Sequence, residues 1–128
     1  MSPSHPPHAI KVETVAHYVA EQSEPDEKRY VFAYQITIRN IGSKPAKLLS
    51  RHWYITDAEG VIDEVQGEGV VGEQPLLAPG QSFEYTSGCA LTTPFGSMRG
   101  RYHFVTEDGT AFDADIPEFF LVGPRTLH

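Results

Sequence analysis

The chain is an all-β protein, an immunoglobulin-like or fibronectin type III-like antiparallel sandwich of about seven or eight strands. Three observations predict this. Apolar residues alternate with polar ones at period two from Ile10 onward. Turn residues recur every ~8–12 positions. No ten-residue window carries a helical apolar stripe.

The elements follow in order. MSPSHPPH, with the next residue, reads as a disordered tail over residues 1–9, because proline-rich polar sequence cannot bury a core. The folded domain spans 10–122, and 123–128 form a C-terminal tail. IKVETVAHYV is the first strand and EQSEPDEKR a charged loop. YVFAYQITIRN is the clearest strand, with Tyr30, Phe32, Tyr34, Ile36 and Ile38 on one face and smaller or polar residues on the other. That contrast marks a half-buried antiparallel strand.

NIGSKP is a turn, and AKLLSRHWYITD is the next strand, with Leu49, Arg51, Trp53 and Ile55 on a common face. Trp53 is expected in the core. DAEG turns into VIDEVQ, and the glycine stretch with PLLAPGQ makes a long connection, a crossover between sheets. SFEYTSGCAL is a strand that carries Cys89 inward with Phe83, Tyr85, Ser87 and Leu91. TTPFGS is a loop, MRGRYHFVT a strand and EDGT a hairpin turn. AFDADI is its partner, Pro117 ends regular pairing, and EFFLV is a last short strand.

The bulk composition excludes several classes. There are 10 Lys and Arg against 17 Asp and Glu, a net charge of −7. Such a surface repels nucleic acids and anionic lipids. The single cysteine forms no internal disulfide, and no apolar run has the ~20 residues of a membrane helix. The N-terminus lacks the pattern of a secretory signal, which leaves the cytoplasm as the expected location.

Gly67, Gly69 and Gly72 spell G-x-G-x-x-G within QGEGVVGEQP. A dinucleotide fingerprint needs a helix to begin at its third glycine, so that free N–H groups meet the pyrophosphate. Here Pro75, Pro79 and Gly80 prevent a long helix, and Glu68 and Glu73 oppose a phosphate. The candidate ligand loop is Gly67, Glu68, Gly69, Val70, Val71 and Gly72, with a structural role weighed first. Arg51, Arg99 or Arg101 are the cations that would serve a phosphate there.

No catalytic constellation is found. His5, His8, His17, His52, His103 and His128 form no zinc-like spacing, and no metal or cofactor is expected. Asp63, Glu64 and Glu68, and likewise Asp113 and Asp115, read as solvated strand faces rather than a cation site. Cys89 reads as a buried, inert thiol.

Five blocks then align with one known family: RYVFAY-x-ITI-x-N, LLSRHWYITDAEG, VQGEGVVGEQPLLAPG, FEYTSGCALTTPFGSMRGRYHF and IPEFFLV. Together they resemble the bacterial ApaG family from about Ile10 to Val122. Ala90 departs from it, since many members have proline after the cysteine. The resemblance implies a fibronectin type III-like sandwich and no established reaction. It also implies a genetic link to cobalt and magnesium tolerance, and kinship with domains in F-box proteins and a polymerase delta-interacting protein that look like protein-binding modules. The expected function is a non-enzymatic binding module for a protein partner, a monomer or weak homodimer. The alternative is pyrophosphate or diadenosine tetraphosphate-like binding through Gly67, Gly69 and Gly72.

Overall fold

A computed structural model describes residues 7–124. Two antiparallel sheets pack face to face. One has the order β1 (Ile10–Tyr18), β2 (Tyr30–Asn40), β6 (Ser82–Leu91). The other has the order β4 (Ile62–Glu68), β3 (Ala46–Asp57), β7 (Phe95–Thr106), β8 (Ala111–Val122). The two-residue strand β5 (Leu76–Leu77) pairs with the start of β3, beside β4 on the same edge. Among the described residues the only helical turns are short 3₁₀ segments, Ala20–Gln22 and Pro25–Glu27, in the charged loop. No helix is long and apolar enough to cross a membrane.

Period-two alternation produces this arrangement, because each strand buries one face and leaves the other in water. On β2 the inward set Phe32, Tyr34, Ile36 and Ile38 is buried. On β7 it is Met98, Tyr102 and Phe104. Trp53, 3% exposed, sits between them with its ring against Tyr34, Tyr102 and Phe119 at centroid distances of 5.8, 6.3 and 6.0 Å. Tyr85 and Tyr102 join their hydroxyls across the core at 2.5 Å. Burial pushes both phenols above their ordinary range.

Four expectations need correction. Leu48, not Leu49, is the core residue of early β3. The register against β7 slips between Leu48 and Ser50, and this bulge transfers the inward face from Ala46 and Leu48 to Trp53. Pro117 interrupts regular pairing, as expected, but does not end it, since β8 runs on to Val122 as one strand rather than giving way to a separate short one. A second register shift falls opposite Arg99, and the proline sits in that irregularity, on the last strand of its sheet. The expected TTPFGS loop is shorter, since β7 already begins at Phe95. The glycine stretch is not the crossover between sheets. It is a turn between β4 and β5 on one edge, and the crossover follows at Ala78–Gln81.

Within the expected N-terminal tail, residues 1–6 lie outside the described residues, while His8 stacks on Phe112 at 4.9 Å. In the expected C-terminal tail, residues 125–128 lie outside them, and the Gly123 N–H donates to the Pro94 carbonyl at 2.7 Å.

Candidate functional site

The glycine loop is a tight turn. Val70 and Glu73 exchange both backbone hydrogen bonds, at 2.8 and 2.9 Å. The two residues between them, Val71 and Gly72, have φ of 43° and 81°. Two central residues at positive φ are the signature of a type I′ turn, usually Asn-Gly. Val70 is fully buried and anchors the turn to the core.

Each glycine of the motif has its own task. At Gly67 a Cβ would stand 2.7 Å from the Arg51 guanidinium. Gly69 has φ 62°, and a Cβ there would collide with the Glu73 carbonyl oxygen. Gly72 needs only its positive φ, with open space around it.

The loop's polarity matters more than its spacing. Three N–H groups are already committed: Gly69 to the Leu49 carbonyl at 2.8 Å, and Val70 and Glu73 to each other. The loop turns carbonyls toward its nearest cation, since Arg51 Nη1 donates to Glu68 O at 3.0 Å and Gly69 O at 2.8 Å. Of the three expected arginines, only Arg51 reaches the loop. Arg99 and Arg101 lie on the outer face of β7, over the Tyr54 ring at 4.6 and 5.9 Å.

That outer face carries a polar ladder which reading single strands does not reveal. His52 Nε2 lies 2.6 Å from Glu64 Oε1, and Arg101 Nη2 lies 3.3 Å from His52 Nδ1. A guanidinium only donates, so His52 Nδ1 accepts and the ring proton sits on Nε2, directed at Glu64. His52 also stacks on Tyr54 at 4.7 Å. On the next strands His103 Nδ1 meets Asp113 Oδ1 at 2.5 Å, and Arg101 Nε stands 4.0 Å from Asp113 Oδ2. Ser50 is the cross-strand neighbour of His103 but makes no hydrogen bond to it. The ladder supports structure through its hydrogen bonds and the Arg101–Asp113 ion pair, and offers no activated nucleophile.

Comparison with known proteins places the chain. The family model of the ApaG domain matches residues 20–106. The chain belongs to the ApaG family. The ApaG protein of Dechloromonas aromatica is 58% identical over 119 residues, 93% of this chain and 94% of that one. That of Thiobacillus denitrificans is 60% identical over the same shares. A crystal structure of a Bordetella pertussis protein described as ApaA superposes with a TM-score of 0.91 at 56% identity. It covers 97% of this chain and 100% of that one.

The remaining candidates in this ApaG-family chain are quickly placed. Cys89 faces Met98, with the sulfurs 3.9 Å apart, and burial pushes its thiol up to about 11. Asp63, Glu64 and Glu68 lie on the exposed strand β4, and Asp113 and Asp115 on β8. Among the described residues no three His, Cys, Asp or Glu side chains converge to hold a metal ion.

Proposed function

We propose that this ApaG-family chain is a non-enzymatic module that binds other proteins. The supporting observation is the placement of its exposed apolar side chains. Val61, Ile62, Val65, Val71 and Leu76 all stand in solvent along β4, the glycine turn and β5. Exposed apolar side chains grouped along one sheet edge of a rigid sandwich support an interaction surface there.

The second reading is pyrophosphate or dinucleotide binding at Gly67–Gly72. Its support is the glycine spacing and the nearness of Arg51. Against it stand the committed N–H groups and the carboxylates of Glu68 and Glu73. Selection of a displayed peptide library on the folded protein tests the first reading. Peptides with micromolar affinity, weakened by Ile62→Ser with Val65→Ser, are expected. Failure to select any peptide, together with micromolar pyrophosphate binding, would reverse the order.

A further inference from the structure

We infer that the free edge of β4 is a docking strand for an extended, basic and apolar protein segment, which adds to the sheet beside Ile62–Glu68. The inference rests on the binding-module reading and names its surface and partner class.

The backbone comes first. Asp57 N donates to Val61 O at 3.0 Å, and Gly69 N donates to Leu49 O at 2.8 Å. Both pairs follow the β3–β4 register, in which Trp53 faces Val65 and Arg51 faces Gly67. In an antiparallel ladder, hydrogen-bonded pairs alternate with pairs whose N–H and C=O point away. Asp63, Val65 and Gly67 therefore bond inward to β3. Ile62, Glu64, Gln66 and Glu68 turn their N–H and C=O outward. β4 ends its sheet, so among the described residues these groups meet no strand, and only the Glu68 carbonyl is already taken, by Arg51 Nη1 at 3.0 Å. They form a ready template for strand addition.

The side chains then select the occupant. Val61, Ile62 and Val65 are exposed and give a partner apolar contacts on both faces of the edge. Asp63, Glu64 and Glu68 supply the charge, and β4 contains no Lys or Arg. Glu64 is engaged by His52, which leaves Asp63 and Glu68 without an ion pair among the described residues. A second copy of the chain is disfavoured, because antiparallel self-pairing would bring the carboxylates of both copies into one ladder in which β4 itself supplies no cation, and Arg51, from β3, is held by the Glu68 and Gly69 carbonyls. A strand with lysine or arginine at alternate positions meets complementary charge instead. The acidic chain, net −7, steers the same class of partner over longer range.

The test uses two acetylated heptapeptides, one of alternating lysine and valine and one of alternating glutamate and valine. Amide chemical shifts of the full chain are followed during titration of each. The lysine peptide is expected to move the amides of Ile62–Glu68, with the glutamate peptide silent. Asp63→Lys with Glu68→Lys should weaken binding at least tenfold. Gln66→Pro removes one outward N–H without touching the β3 ladder and should also weaken binding at least tenfold, with melting retained. If Gln66→Pro does not fold, the charge-reversed variant alone decides. Equal binding of both peptides, or lysine-peptide binding indifferent to Asp63→Lys with Glu68→Lys, would overturn the inference. If displayed peptides bind elsewhere while this edge stays silent, the docking strand fails and the binding-module reading stands. If no peptide binds anywhere, both fail.

Discussion

Arg51 Nη1 lies 2.8 Å from the carbonyl oxygen of Gly69 and donates to it. A cation held by the loop's own carbonyls helps fix the loop's shape, and this contact gives the G-x-G-x-x-G spacing a structural meaning. The glycines serve three separate local needs, and their variants should differ accordingly.

Gly69→Ala should destabilise most. It meets both a positive φ, worth ~1 kcal/mol or more, and a collision with the Glu73 carbonyl. Gly72→Ala should cost only about 1 kcal/mol, since nothing surrounds its Cβ position. Gly67→Ala should displace Arg51 and fall between them. Denaturant melts of the three variants check the order, and equal losses would refute it.

Val71 is an exposed β-branched residue held at φ 43°. Left-handed backbone costs an ordinary L-residue roughly 1–2 kcal/mol, and asparagine tolerates it better. Val71→Asn creates the preferred Asn-Gly pair of a type I′ turn. It should stabilise the chain by about 0.5–1 kcal/mol, read as a higher melting temperature.

Trp53→Ala removes the ring shared by Tyr34, Tyr102 and Phe119. A loss of about 3–5 kcal/mol is expected, as for other large core truncations. A variant that melts like the parent would place Trp53 outside the core.

Strand identity was legible in the sequence because local alternation sets it. Tyr30–Asn40, Ala46–Asp57 and Ser82–Leu91 occupy the stretches read from sequence alone. The bulges were only partly legible. The slip at Leu48 arises from pairing with a distant strand and nothing near Leu49 announces it, whereas the one opposite Arg99 is marked by Pro117, whose sequence signal gives the break in pairing but not that the strand continues past it. The outer ladder was hidden for the same reason. Alternation puts His52 with Tyr54 and Arg99 with Arg101 on a face, but only the β3–β7 register brings His52 opposite Arg101. The glycine motif was legible as spacing alone, while the direction of its N–H and C=O groups needed the fold.

Burial raises the Cys89 thiol to about 11, so at pH 8 only ~10⁻³ of it is the reactive thiolate. Alkylation of the native chain by iodoacetamide should be slow at pH 8. It should rise about tenfold per pH unit toward pH 10, whereas an ordinary exposed thiol levels off above its pKa of ~8.5. A plateau near pH 9 would show an accessible, unperturbed thiol.

The central claim is that the chain binds protein segments at the edge beside its glycine turn and does not hold phosphates within that turn. The direct measurement is residue-by-residue amide shift mapping with pyrophosphate, diadenosine tetraphosphate and a selected peptide in parallel titrations. The account predicts peptide-dependent shifts along Ile62–Glu68, with the Gly69–Gly72 amides unmoved by either phosphate compound up to millimolar concentration. Micromolar pyrophosphate binding that moves Gly69–Gly72, and is lost in a Gly72→Ala variant that still folds, would contradict it.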